Sequence, residues 1–146
     1  MNYVGSDAAT KIIIPFGDGV MLTMNPITKK MLADAQSGCA DLADALLKGE
    51  LSAIAELAPI DSIFRLVERT AEWSEQAMSV LWPIELAREA KAIVVEVDAK
   101  SNSSRKSIAD RKALAGLFRD PARLVRYQFV VGTHIEKLLN ETGNCK

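Results

Sequence analysis

The sequence has little of the chemistry on which many enzymes and metal sites depend. Its 146 residues include one histidine, His134, and two cysteines, Cys39 and Cys145, which show no metal-ligand spacing. Too few histidines and cysteines are present for a metal site built on these residues, and the cysteines form no disulfide framework. His134 would have to be the base for any serine or cysteine nucleophile, and no nucleophile elbow motif lies near it. We interpret His134 as a helix residue and both cysteines as free thiols.

Long apolar segments are also missing. No apolar run approaches the ~20 residues of a membrane-spanning helix, and residues 1–7 lack the basic and then apolar order of a secretory signal. The composition, 49% hydrophobic and 25% charged, is that of a globular protein. The sequence therefore predicts a single cytoplasmic domain spanning residues 1–146, with no membrane partner.

Charge of each sign is concentrated in a different part of the chain. The formal net charge is −1, yet residues 31–99 carry 13 acidic and 5 basic residues, whereas residues 100–126 carry 8 basic and 2 acidic ones. A basic segment of this kind is typical of a contact with nucleic acid or another anion, of self-association through opposite charges, or of a solvated helix face. The charge pattern alone leaves these interpretations open.

The pattern of residues 11–24 predicts a β-hairpin. Two apolar runs flank the segment Gly17-Asp18-Gly19, which is typical of a glycine turn between antiparallel strands. Pro15 favours an edge position for the first strand, because proline cannot donate a backbone hydrogen bond to a neighbouring strand.

A helical part is predicted over residues 26–81. Asn25 followed by Pro26 is a helix start, and apolar residues then recur at spacings of three and four as far as Gly49. A short helix over residues 52–58 and another capped by Asp61 complete this part.

Residues 83–140 predict an α/β core, although two segments in it are ambiguous. Residues 92–97 and 124–131 are β-branched or alternating and favour strands, and a helix starting near Ser107 lies between them. A strand-helix-strand order makes the two strands parallel. A last helix follows, over roughly Thr133 to Asn140. Both predicted strands also fit a helical period, so the alternative fold is an all-α bundle with an N-terminal β-hairpin.

The end of the first ambiguous segment carries a set of charged residues with catalytic potential. In an extended chain Glu96, Asp98 and Lys100 project from one face. Two carboxylates and an ammonium suit the Mg²⁺-dependent cleavage of phosphodiesters, in which the ion activates water and offsets developing charge. In a helix, Glu96 and Lys100 would instead form an ordinary ion pair one turn apart.

The segment Ile93-Val-Val-Glu-Val-Asp98-Ala99-Lys100 resembles the third-strand signature of the PD-(D/E)XK nucleases, and Pro83-Ile84-Glu85 stands where that family has its Pro-Asp pair on the preceding hairpin strand. The resemblance implies a core like that of restriction endonucleases. It also implies that Glu85 and Asp98 bind Mg²⁺ and that Lys100 positions the attacking water. Glu96 joins the predicted catalytic set because it shares a strand face with Asp98 and Lys100.

Two functional hypotheses follow. The first is a Mg²⁺-dependent nuclease that hydrolyses nucleic-acid phosphodiesters, with Arg105, Lys106, Arg111 and Lys112 contacting phosphates near the cut. The alternative is a non-catalytic interaction or regulatory protein, of the inhibitor, immunity or adaptor type. In that case the helical first half and the uneven charge form a docking surface for a protein partner or for self-association.

Overall fold

A computed structural model describes residues 10–60, 75–98, 100 and 103–144 of the chain. Within them the fold is mixed α+β, with a four-stranded antiparallel sheet and five helices. A β-hairpin near the N-terminus is followed by helices, as predicted. The four strands exclude the alternative of an all-α bundle carrying one hairpin.

The N-terminal hairpin consists of β1 (Ile12–Pro15) and β2 (Val20–Met24), which pair antiparallel. Gly17 and Gly19 have φ angles of 83° and 84° in the turn. Backbone of this kind is unstrained in glycine because no Cβ meets the neighbouring carbonyl. The predicted glycine turn is confirmed, and β1 lies at the sheet edge, where Pro15 was expected to place it.

Two helices follow the hairpin, α1 (Lys29–Leu47) and α2 (Leu51–Leu57). The N-cap of α1 is Thr28, whose side chain accepts a 3.2 Å hydrogen bond from the backbone N–H of Met31. The helix therefore begins three residues after the predicted Asn25-Pro26 start. It ends as predicted, with Gly49 just beyond it at a φ of 72°.

Helix α3 (Glu75–Glu89) corrects one prediction. Pro83 to Glu85, expected on a hairpin strand, lies inside this helix. The helix formers that surround these residues outweigh the proline, which removes one backbone hydrogen bond without ending the helix. The predicted cap at Asp61 and the first part of the helix that it begins lie outside the described residues.

The second half of the sheet is a further hairpin, β3 (Ile93–Asp98) and β4 (Ser103–Ile108). The strand predicted over residues 92–97 is confirmed. The sheet order is β1-β2-β3-β4, and every neighbouring pair is antiparallel. Helix α4 (Arg111–Phe118) comes next, and the side chain of Asp110 caps it by accepting from the N–H of Ala113 at 2.8 Å.

The predicted parallel strand over residues 124–131 is wrong, because this segment belongs to the long helix α5 (Pro121–Asn144). Asp120 begins the helix by accepting from the N–H of Ala122 at 3.0 Å. Tyr127 and Val131 are fully buried while Val125 and Phe129 are 63% and 72% exposed. In a strand all four of these alternating residues would share one face, whereas in a helix residues two apart lie on opposite sides and residues four apart on the same side. The chain thus has no strand-helix-strand unit in these residues, and the predicted last helix is the second half of α5.

The core lies between the inner face of the sheet and the helices. On the sheet side it contains Ile12, Ile14, Leu22, Met24 and Val94, and on the helix side it includes Leu42, Leu81, Leu114 and Tyr127. Among the described helices, none combines the length and hydrophobicity that spanning a membrane requires.

Candidate functional site

Glu85, the first predicted metal ligand, is part of a buried ion-pair cluster. It is 2% exposed, and its Oε1 accepts hydrogen bonds from Nη1 of Arg88 at 3.0 Å and from Nη2 of Arg111 at 2.9 Å. Its Oε2 accepts from Nε of Arg111 at 2.8 Å. Arg111 begins α4 and also lies 3.7 Å from Oε1 of Glu56 on α2. The Glu85 cluster therefore joins α2, α3 and α4.

Arg111 and Gly38 both fix the position of the Glu85 carboxylate. The two-pronged contact with Arg111 matches the planar guanidinium to the carboxylate. The hydrogen bond with Glu85 raises the pKa of Arg111 above its ordinary value, and the smaller effect of burial opposes this rise. On α1, Gly38 faces the carboxylate so closely that an added Cβ would lie 2.5 Å from Oε1 of Glu85. Glycine at position 38 therefore leaves the space that the Glu85 carboxylate occupies.

Asp98, the second predicted metal ligand, lies at the end of β3. Its Oδ1 accepts a 3.0 Å hydrogen bond from the backbone N–H of Lys100, so Asp98 and Lys100 adjoin in the turn between β3 and β4. Asp98 pairs with Ser103. Glu96 shares the inner face of β3 with Asp98, as the sequence predicted, and forms an ion pair with Arg105 of the neighbouring strand.

Glu85 and Asp98 lie at opposite ends of the second hairpin. Arg111, the partner of Glu85, follows closely after Ile108, which pairs with Ile93. Asp98 is five residues further along β3, and at about 3.3 Å per residue this separates it from Ile93 by about 17 Å. The structure brings Glu96, Asp98 and Lys100 to one end of the hairpin and leaves Glu85 at the other.

This arrangement does not fit the predicted Mg²⁺ site. A carboxylate ligand must offer free oxygen lone pairs and must balance the charge of the cation. Both oxygens of Glu85 already accept from guanidinium groups, and the positive charges of Arg88 and Arg111 oppose a divalent cation beside them. Within residues 10–60, 75–98, 100 and 103–144, no cluster of three or more histidine, cysteine or acidic residues is placed to hold a metal.

The four residues predicted to contact nucleic acid do not form one surface. Arg111 is held in the Glu85 cluster and Arg105 in its pair with Glu96, both on the inner side of the sheet. Lys106 is exposed on the opposite face, where it pairs with Val95, and Lys112 is exposed on α4. The basic segment is therefore divided between structural ion pairs and two separate surfaces.

The outer face of the sheet is a surface that sequence reasoning missed. The register places the alternate residues of each strand on it, and most are apolar. We call the following set the outer sheet face: Ile13, Pro15, Met21, Thr23, Ile93, Val95, Val97, Ser104, Lys106 and Ile108. Its most exposed apolar members are Ile108 at 82%, Ile13 at 57% and Val97 at 50%. The signal was present in runs such as Ile93 to Val97, which are apolar on both faces and which we interpreted as buried strand.

No protein-family model, curated protein or solved structure matches the chain. A proposal for its function therefore depends on the geometry described above.

Proposed function

We propose that this chain is a non-catalytic interaction protein of the cytoplasm, and that its outer sheet face binds an apolar, acidic segment of a partner protein. The observation that carries the proposal is the exposure of large aliphatic side chains on that face of the sheet. The Glu85 cluster is assigned to stability, because its carboxylate is buried and paired with arginines.

The outer sheet face departs from the usual pattern of an antiparallel sheet. When helices cover one face of such a sheet, the strands normally alternate between apolar residues facing the core and polar residues facing water. Here Ile13, Val97 and Ile108 are exposed although the inner positions beside them, such as Ile14 and Val94, already supply the core. Val95, between Ile93 and Val97 on the same face, is only 7% exposed, so the exposed apolar side chains stand at the two ends of β3 and beside them. Exposed apolar side chains grouped on one face are typical of interaction surfaces.

Charge indicates the chemistry of the partner. Lys106 stands on the outer sheet face in register with Val95, and the acids of β3, Glu96 and Asp98, project from the inner side instead. The outer positions of the four described strands therefore contain a lysine and no carboxylate. A partner segment that alternates aliphatic and acidic residues would bury its aliphatic side chains on the strands and pair an acid with Lys106.

Strand β4 can take part in the contact through its backbone. It is an edge strand, and all six of its residues are exposed. Extended peptides bind sheet edges by adding a strand, and alternate side chains then reach the face of the sheet. Because β4 is an edge strand that carries arginine and lysine, pairing two copies of it would bring like charges together. An acidic partner strand avoids this repulsion.

The test uses synthetic ten-residue peptides that alternate valine or isoleucine with aspartate or glutamate, labelled with fluorescein and titrated with the purified protein. Matched peptides that carry lysine in place of the acids are the control. We expect saturable binding of the acidic peptides, weakened by salt and absent for the basic ones. The double substitution Val97→Thr, Ile108→Thr keeps β-branched residues in the strands and should weaken binding about tenfold, because less apolar area is buried.

Leu51→Thr is the matched substitution, since Leu51 is 82% exposed like Ile108 but lies on α2. It should leave peptide binding unchanged. Lys106→Glu should weaken the acidic peptides and strengthen the basic ones. Equal affinity of the wild type and the Val97→Thr, Ile108→Thr variant for the acidic peptides, or absence of binding by the wild type, would refute the proposal.

A further inference from the structure

Helix α5 carries apolar residues on two opposite faces, and only one of these faces packs against the core. Tyr127 and Val131 face inward and are fully buried, with Leu124 and Ile135 packed against the same core. On the opposite side Phe129, Val125 and Leu139 are 72%, 63% and 54% exposed. A helix at the surface of a globular protein normally turns charged and polar residues outward.

The outward residues follow the spacing of a helix-helix contact. They recur at intervals of three and four along about 26 Å of helix, at a rise of about 1.5 Å per residue. We call the following set the α5 stripe: Ala122, Val125, Phe129, Gly132, Glu136 and Leu139. An exposed stripe with this repeat has the form of one half of a helix pair.

Two features make the α5 stripe complementary to itself. An added Cβ at Gly132 would meet nothing within 4 Å, so the space beside this residue is open, and it lies one turn from the exposed ring of Phe129. Arg126 borders the stripe near one end and Glu136 lies in it near the other, and both are exposed. In a parallel pair each of these charges would face its own copy. In an antiparallel pair Arg126 lies close to Glu136 of the second copy.

We propose that the α5 stripe is the contact between two copies of this chain, with their α5 helices antiparallel. A two-fold axis midway between residues 129 and 132 places the ring of Phe129 against Gly132 of the second copy. The same axis places Ala122 opposite Leu139 of the second copy and Val125 opposite its Glu136, with Arg126 next to that carboxylate. Each contact occurs twice, as the symmetry of a two-fold dimer requires.

The expected dimer is weak. One helix from each copy provides less area than the standard protein–protein interface, and interfaces at the small end of the range form transient complexes. Association in the micromolar range follows, with most of the affinity coming from Phe129, since buried aromatic side chains dominate such contacts.

The first experiment measures the molar mass of the full chain by sedimentation equilibrium over a hundredfold range of protein concentration. We expect the mass to rise from that of a monomer toward that of a dimer. Phe129→Asp should keep the protein monomeric at every concentration, with unchanged circular dichroism. Gly132→Ala should weaken association although the isolated chain has room for the methyl group. A monomeric wild type, or dimers that persist in Phe129→Asp, would overturn the proposal.

Charge reversal tests the orientation. In the antiparallel dimer Arg126→Glu and Glu136→Arg should each weaken self-association, while an equimolar mixture of the two variants should dimerise, because both ion pairs are then restored. In a parallel dimer neither single reversal would change the balance of like charges, and unchanged association of the single variants would therefore exclude the antiparallel arrangement.

This inference is independent of the proposed peptide binding. Phe129→Asp should still bind the acidic peptides, and Val97→Thr, Ile108→Thr should still dimerise, so each proposal can fail without the other.

Discussion

Gln128 donates a 3.0 Å hydrogen bond from its side-chain Nε2 to the backbone carbonyl of Ser79. That carbonyl is the one to which residue 83 of α3 would donate in a regular helix, and Pro83 has no N–H to give. A side chain of α5 therefore supplies a donor where the proline removes one. The contact explains how α3 continues through Pro83 and ties it to α5.

We expect Gln128→Leu to lower the free energy of unfolding by about 1–2 kcal/mol, because the partly buried carbonyl of Ser79 loses a donor. In a Pro83→Ala background the backbone N–H is restored, and the same substitution should cost about 1 kcal/mol less. Urea denaturation of the four proteins in this cycle measures the coupling. An equal cost of Gln128→Leu in both backgrounds would show that the two residues act separately.

Gly38→Ala should destabilise the protein, although alanine usually stabilises a helix. The added Cβ would lie 2.5 Å from Oε1 of Glu85 and would force the Glu85 cluster apart. We expect a loss of about 1–3 kcal/mol. Gly116→Ala on α4 is the control, because a Cβ there meets nothing within 4 Å, and it should gain about 0.5–1 kcal/mol. Thermal denaturation of both variants provides the comparison.

Glu85 and Asp98 should behave as a structural and a surface residue rather than as two ligands of one cation. Glu85→Gln removes the counter-charge of Arg88 and leaves Arg111 with only the more distant Glu56, and it should cost about 3 kcal/mol, whereas Asp98→Asn should change stability by less than about 0.5 kcal/mol. Mg²⁺ should not shift the unfolding midpoint of the wild type. A Mg²⁺-dependent stabilisation that both substitutions abolish would revive the nuclease hypothesis, as would plasmid cleavage lost in Asp98→Ala, Lys100→Ala.

Tyr127→Phe should be neutral or stabilising. The ring of Tyr127 packs against Phe118, with centroids 4.8 Å apart, and its hydroxyl is buried with no hydrogen-bond partner among the residues that the structure describes. Burial also raises the pKa of this hydroxyl. Removing an unpaired buried hydroxyl should gain up to about 1 kcal/mol, while Tyr127→Leu should lose about 1–3 kcal/mol of packing. A clear destabilisation in the phenylalanine variant would show that the hydroxyl is satisfied in solution.

Cys39 should be inert in the folded protein. Burial raises the pKa of this thiol from 9.0 to about 11, and the negative charge of Glu85 makes a smaller contribution in the same direction. In a Cys145→Ser background, reaction with an aromatic disulfide at pH 8 should proceed only as fast as the protein opens. Because the folded state keeps the thiol neutral, its contribution to stability is present below pH 9 and is lost as the pH rises from 9 to about 11. The stability difference between this protein and its Cys39→Ala variant should shrink over that interval.

Sequence patterns predicted the fold correctly where a structural feature depends only on residues close together in the chain. The turn around Gly17 and Gly19 and the stop at Gly49 follow from left-handed backbone that glycine adopts freely. Residues 124–131 were assigned wrongly because an alternating pattern and a helical one coincide over eight residues. Only packing decides between them, and Tyr127 and Val131 pack inward together.

The candidate site was less predictable, since it depends on contacts between distant parts of the chain. Arg88 is three residues from Glu85, and this spacing could have identified a helical ion pair. Arg111 is 26 residues away, and no local pattern links it to Glu85. Likewise, the outer sheet face became visible only once the register of four strands was known.

The order of the sheet also governs when it can be completed during synthesis. Residues of β2 pair with residues of β3 that lie seventy or more positions later, as Thr23 does with Ile93. At about 5–20 residues per second, a ribosome needs on the order of 4–14 seconds to make the intervening chain. Throughout that interval the first hairpin, apolar on both sides, lacks its neighbouring strand β3 and the later helices α4 and α5. Chaperones that hold nascent polypeptides would therefore find an apolar binding site in this hairpin until β3 is made.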